Sequence, residues 1–262
     1  MWVETGFAFI LGLLWGSFAN VVIYRLPEKL SVVTPRSRCP KCMTPIAWFD
    51  NVPVLSWLIL GGRCRACKTR ISIRYPLVEL LTGIVFAAIF YKYEYQWVTL
   101  EYLVFAWSLI VVSMIDLDHM ILPDVFTLSG IVIGLVGAAI NPERSFADAL
   151  IGVLAGGGFL WAIAYFYLLL RKEEGMGGGD IKLLAWMGAV LGWTSIPFIV
   201  LASSVLGSLV GLVLAMRSKA GLKSVIPFGP YLALAALLFI LDGKQIGLWY
   251  IGLFLPDLAP AN

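Results

Sequence analysis

The sequence predicts an all-α polytopic membrane protein of about eight transmembrane helices, with a small cytoplasmic zinc-binding insert after the first helix. Three observations predict it. Of 262 residues, 60% are hydrophobic and the mean hydropathy is +0.90, against roughly 45–50% apolar residues in a soluble domain. The apolar residues fall in long runs, near the about 17–25 residues that a bilayer-spanning helix needs. All four cysteines lie in the one polar, basic stretch, residues 25–75.

The predicted spans are 6–24, 77–91, 98–115, 125–140, 147–170, 181–195, 197–216 and 225–241. They organise the chain as a first helix (1–24), an insert (25–75) and a membrane core (76–262). The opening MWVETGFAFILGLLWGSFAN has no positive n-region and no A-x-A-like site, so it reads as a permanent helix rather than a removed signal. Within it Gly12, Gly16 and Asn20 recur every four residues. That spacing suits close helix packing with one interhelical hydrogen bond. The apolar stretch from 181 to 216 is too long for one crossing and divides at Ser195, Ile196 and Pro197.

Lys and Arg set the expected orientation, because short loops rich in them stay cytoplasmic. Between Arg25 and Arg74 lie ten basic residues against only Glu28 and Asp50. The insert is therefore cytoplasmic and the N-terminus outside. Alternation then puts Arg171, Lys172, Lys182, Arg217, Lys219 and Lys223 inside and only Lys92, Arg144 and Lys244 outside, so 16 of 19 basic residues agree. Anionic membrane lipid accounts for the insert's positive charge without nucleic acid.

In the insert the cysteines read CPKC (39–42) and CRAC (64–67). A two-residue gap lets both thiolates of a knuckle reach one tetrahedral ion, and Cys39, Cys42, Cys64 and Cys67 together make a closed, structural four-sulfur zinc site. The 21 residues between the knuckles slightly exceed the usual spacing of about 15–20. Disulfides are the alternative, but a cytoplasmic location keeps thiols reduced. A segment this small buries little core, and a metal would supply the missing stability.

Of sixteen acidic residues, Glu79, Asp116, Asp118, Asp124 and Asp180 fall near the inner ends of predicted spans. In IDLDHMILPD (115–124), helical spacing places Asp116 and Asp118 about 200° apart, so at most one faces a given target. Asp124 follows Pro123 and suits a helix N-cap. Asp180 in GGGDIKLL could also cap, but a cap leaves the glycine run Gly177, Gly178 and Gly179 unexplained. Glycines admit a close-lying chain or a positive φ. On one membrane face, Asp116 and Asp180 can form a dyad. Two carboxylates sharing a site do not both ionise easily, so one activates water while the other, protonated, polarises a carbonyl. That is peptide hydrolysis. The competing H-E-x-x-H and G-x-S-x-G motifs are absent, and His119 is the only histidine.

Taken together, GSFANVVIYRLP (16–27), the paired knuckles, RYPLVELLTG (74–83), MIDLDHMILPD (114–124) and GMGGGDIKLL (175–184) closely resemble the bacterial type 4 prepilin peptidases, also called leader peptidase/N-methyltransferases. The resemblance runs from about residue 10 to residue 235. It implies a G-x-G-D aspartic protease of the bacterial inner membrane with catalytic Asp116 and Asp180. Asp124, Glu79, Gly177, Gly178 and Gly179 are supporting candidates. Implied substrates are prepilins and pseudopilins, which lose a short basic leader after a glycine on the cytoplasmic side. The resemblance also implies methylation of the new N-terminus with S-adenosylmethionine, and it makes 25–75 the methyltransferase-associated insert and 76–262 the peptidase core. No G-x-G-x-x-G after a strand supports that cofactor directly. Glu79, one turn into the second span, would hold the substrate amine or pair with Arg74, because an unpaired carboxylate there is costly.

Two other classes make different expectations. A transporter predicts paired inverted repeats and acids at midspan, whereas here no halves match and the acids gather at one face. A non-enzymatic scaffold for pilus or secretion assembly predicts that the aspartates are caps and that Asp116→Asn and Asp180→Asn leave function intact.

Overall fold

A computed structural model of the chain describes residues 1–173, 177–217, 226–243 and 245. Nine α-helices are present among the described residues: α1 (Trp2–Arg25), α2 (Leu55–Ile59), α3 (Arg74–Tyr93), α4 (Trp97–His119), α5 (Asp124–Ile140), α6 (Phe146–Arg171), α7 (Gly178–Leu191), α8 (Ser195–Arg217) and α9 (Gly229–Leu238). Extended pairing among these residues is limited to two isolated bridges, so the all-α class holds.

Among the described residues, five helices are long and apolar enough to cross a membrane: α1, α3, α4, α6 and α8. The expected spans 125–140, 181–195 and 225–241 correspond to α5 with 17 residues, α7 with 14 and α9 with 10, all short of the about 20 that a crossing takes. Residue 225 itself lies outside the described residues. Every residue of α7 from Leu183 to Val190 is buried in protein, which makes it the central helix of its unit. The division between α7 and α8 falls earlier than expected, at Gly192 with φ +80°, and Pro197 sits inside the first turn of α8.

The chain forms two compact units, Met1–Ile115 and Asp116–Asn262. In the first, α1 packs on α3 along the small-residue ladder seen in the sequence. A Cβ at Gly12 would lie 2.7 Å from Gly83 Cα, and one at Gly16 would lie 2.6 Å from Glu79 Cα. Asn20 Nδ2 donates to Tyr75 O at 3.1 Å, an interhelical bond of the kind the spacing called for. Trp107 of α4 donates its indole N–H to Trp15 O at 2.9 Å and stacks on Phe18. Leu109, Val111, Val112 and Ile115 complete the buried face of α4.

The second unit is built around α7. Gly152 of α6 and Gly188 of α7 bring two backbones together, so that a Cβ at 188 would stand 2.1 Å from Gly152 O. On another side Gly130 of α5 receives the ring of Trp186. Arg144, between α5 and α6, donates to Gly134 O at 3.2 Å and also reaches Ala189 O.

Candidate functional site

The insert between α1 and α3 carries two copies of one short turn. Cys39 N donates to Thr44 O and Met43 N to Cys39 O, at 3.0 and 2.9 Å; Cys64 N donates to Thr69 O and Lys68 N to Cys64 O, at 2.9 and 3.0 Å. Met43 and Lys68 both take φ +58°, and the bridges Arg38–Pro45 and Arg63–Arg70 close the two turns. The sequence signal is RCPKCMTPI against RCRACKTRI, a repeat that the cysteine spacing alone does not reveal.

This symmetry converges four sulfurs. One ligand atom from each of Cys39, Cys42, Cys64 and Cys67 lies within 4.8 Å of the others, with Cys39–Cys67 at 3.8 Å and Cys42–Cys64 at 4.0 Å. Metal–sulfur bonds of about 2.3 Å at tetrahedral angles put sulfurs about 3.8 Å apart, so the four thiols are set to hold one ion. The Thr44 hydroxyl, in contact with Cys42 Sγ at 3.3 Å, and the Thr44 backbone lower the Cys42 thiol to about 6. A thiolate is the form a metal binds. Arg65, within the second knuckle, makes a two-pronged bond to Asp50 at 2.7 and 2.6 Å and ties the centre to the turn Trp48–Asp50.

Glu79 joins the insert to the helices. It is 8% exposed, and its Oε2 accepts from the backbone N–H of Val54 at 2.8 Å, with a second hydrogen bond to the Ser17 side chain. Arg74, the partner considered from the sequence, donates to Met114 O at 3.0 Å. Backbone and hydroxyl donors satisfy this carboxylate, which explains how α3 tolerates it near its start.

In the second unit, Asp116 is 5% exposed while Asp118 is exposed, as the helical phase required; His119, the last residue of α4, is exposed too. Asp116 Oδ2 accepts from the backbone N–H of Gly229, the first residue of α9, at 3.1 Å. Asp180, half-buried, is the third residue of α7; the N-cap is Gly177, so the capping alternative for Asp180 is corrected. The two aspartates lie within electrostatic reach of each other. Leu122 links their surroundings, because a Cβ at Gly179 would sit 3.1 Å from Leu122 Cβ and one at Gly229 would sit 3.1 Å from Leu122 Cδ2.

The glycine run resolves into separate jobs. Gly178 and Gly179 open α7 and Gly177 is extended, and none of the three takes a positive φ. Gly179 makes room for Leu122, whereas Gly177 and Gly178 border open space. Gly175 lies outside the described residues. Asp124 is the first residue of α5, with Pro123 as N-cap, so it too is not the cap. It pairs with Lys182 of α7 instead. An exposed pair of this kind contributes at most about 1 kcal/mol and chiefly orients α7 beside the 120–123 turn.

Gly229 escaped the sequence reading. It stands in PFGP (227–230), inside the expected span 225–241, and only the fold brings it to Asp116.

Comparison with known proteins gives the family. The profile described as the Bacterial Peptidase A24 N-terminal domain matches residues 10–93, and that described as the Type IV leader peptidase family matches residues 103–212. The chain is 41% identical to a prepilin leader peptidase/N-methyltransferase of Aeromonas hydrophila, covering 97% of this chain and 96% of that protein. Proteins of the same name from Pseudomonas aeruginosa and Neisseria gonorrhoeae are 37% and 38% identical, over 92% and 87% of this chain and 91% and 87% of theirs. No solved structure matches. With both domain profiles in order and relatives this similar along nearly the whole chain, the protein belongs to the type IV leader peptidase family.

Proposed function

We propose that this chain is a bifunctional enzyme of the bacterial inner membrane. It removes the short basic leader from prepilins or pseudopilins after a glycine, and it methylates the exposed amino terminus with S-adenosylmethionine. One observation supports the peptidase half above all: Asp116 and Asp180, far apart in sequence, come within electrostatic reach of each other, one of them held by a helix N-terminus.

The chemistry follows from the pair. One carboxylate ionises and takes a proton from water; the other stays protonated and donates to the scissile carbonyl. The Gly229 N–H holds Asp116 through Oδ2, which leaves the other oxygen for the water or the shared proton. The open ground beside Gly177 and Gly178 is where an extended scissile segment lies. Asp124, through Lys182, keeps that end of α7 in place.

The distribution of Lys and Arg supports a cytoplasmic location for the insert and the dyad, with the N-terminus outside. A prepilin's apolar helix then arrives through lipid while its leader stays in the cytoplasm. A zinc ion on Cys39, Cys42, Cys64 and Cys67 would hold the insert folded. We assign methyl transfer to the first unit, where Glu79 acts as a positioning residue that fixes the insert to α1 and α3.

The test is to incubate the purified enzyme with a prepilin and S-adenosylmethionine and follow leader loss and methyl mass by mass spectrometry, with and without metal stripping by a strong chelator. The metal-replete enzyme is expected to do both. The stripped enzyme is expected to keep cleaving while methylation falls by about ten-fold or more, as the insert loses the ion that folds it. Cleavage without any methyl addition by the metal-replete enzyme would remove the second half of the reading.

A further inference from the structure

The first unit contains a cavity of about 350 Å³ that neither the dyad nor the metal centre uses. Leu14, Phe18 and Val21 of α1 form one wall, and Arg36, Ser37 and Asn51 of the insert form the other. We propose that this cavity binds S-adenosylmethionine, the methyl donor, and so is the methyl-transfer site. The proposal rests on the methyl-transfer half of the function given above.

Four features support it. The volume falls within the about 300–1,000 Å³ of pockets that take a small organic molecule. The lining is divided, as an amino-acid nucleoside needs. Phe18 and the aliphatic wall suit a flat heterocycle, while among the described residues the side chains of Arg36, Ser37 and Asn51 have no hydrogen-bond partner in the protein. The wall is also braced: Arg25 donates to Ser31 O at 2.9 Å and to Pro35 O at 2.7 Å, which fixes the loop carrying Val32 and Val33. Finally, Ser17 and Pro53 line the cavity, and Glu79 stands directly behind both through its bonds to Ser17 and to Val54 N.

The donor is a net cation with one free carboxylate, and Arg36, whose side chain has no hydrogen-bond partner among the described residues, is placed to pair with that carboxylate while the ammonium and sulfonium face away from it. In the reaction, the substrate amine gives up a proton to solvent, and its lone pair attacks the donor's methyl carbon. The carbon–sulfur bond breaks with its electrons going to sulfur, leaving a neutral thioether, S-adenosylhomocysteine, and a methylated ammonium. The cavity is formed by the inner half of α1, where an apolar helix entering from lipid would present its amino end.

The experiment measures S-adenosylhomocysteine binding by calorimetry, and photocrosslinking of labelled S-adenosylmethionine, in wild type, Val21→Trp, Arg36→Ala and Asn51→Leu. Prepilin cleavage by each variant reports that the protein is folded. Expected is a crosslink to α1 or residues 32–53, with affinity reduced by about ten-fold or more in Val21→Trp and in at least one of the two exposed-loop variants, while cleavage continues. Wild-type affinity in all three variants overturns the site while leaving the methyltransferase reading intact. So does a crosslink elsewhere, with a phospholipid retained by the cavity in native mass spectrometry. If the wild type neither binds nor methylates, the methyltransferase reading falls and the site assignment falls with it.

Discussion

Asp116→Asn and Asp180→Asn are each expected to lower prepilin cleavage by about 100- to 10,000-fold, the range that a positioned acid or base contributes. The loss should fall on kcat with KM nearly unchanged, because asparagine keeps the shape of the site but can neither ionise nor release a proton. Stability should change little. Asp180 is not the cap of α7, so its replacement costs no capping bond, and in Asp116→Asn the amide oxygen of the new side chain can still accept from Gly229 N–H. The wild-type pH profile should be bell-shaped, since only the singly protonated pair has both an acid and a base. Steady-state cleavage of a fluorogenic leader peptide across pH checks both points, and a variant that cleaves near the wild-type rate would transfer the role to Asp118 or Asp124.

Gly229→Ala is expected to produce the second largest loss, although a glycine brings no side-chain chemistry of its own. A Cβ there would stand 2.6 Å from Asp116 Oδ2 and 3.1 Å from Leu122 Cδ2. Either α9 moves away or Asp116 leaves its position, and both break the 3.1 Å bond from Gly229 N–H. A displacement of about 1 Å at a reacting group costs on the order of 100-fold in rate. Cleavage should fall by about that factor, with the pH profile shifted because the carboxylate has lost its backbone donor. A purely structural role would instead lower the yield of folded enzyme and leave kcat and the profile of the surviving fraction unchanged.

Local chemistry was legible in the sequence; packing across the chain was not. Two C-x-x-C pairs fix which four thiols converge because the spacing within each pair is set by a turn of a few residues. The Gly12, Gly16 and Asn20 ladder announced a close helix contact, though not its partner α3, because a four-residue repeat marks one helix face. The separation of buried Asp116 from exposed Asp118 followed from helical phase alone. The short helices α5, α7 and α9 were harder, since hydropathy measures apolarity and not whether lipid or protein covers it. In the run of residues 181–191, Leu183 to Val190 are covered by protein. The capping roles offered for Asp124 and Asp180 failed because Pro123 and Gly177 already occupy those positions. Gly229 was invisible because its function is an approach to a residue more than a hundred positions away.

The central claim is that one chain runs two chemistries on different residues. The most direct test gives the Asp116→Asn/Asp180→Asn double variant a pre-cleaved pilin with S-adenosylmethionine, beside the uncleaved prepilin, and reads both by mass spectrometry. The account predicts an intact leader on the prepilin and wild-type methyl addition on the pre-cleaved substrate. Leader loss from the prepilin would contradict the dyad, and absent methylation by a folded, metal-loaded double variant would contradict the separation of the two chemistries.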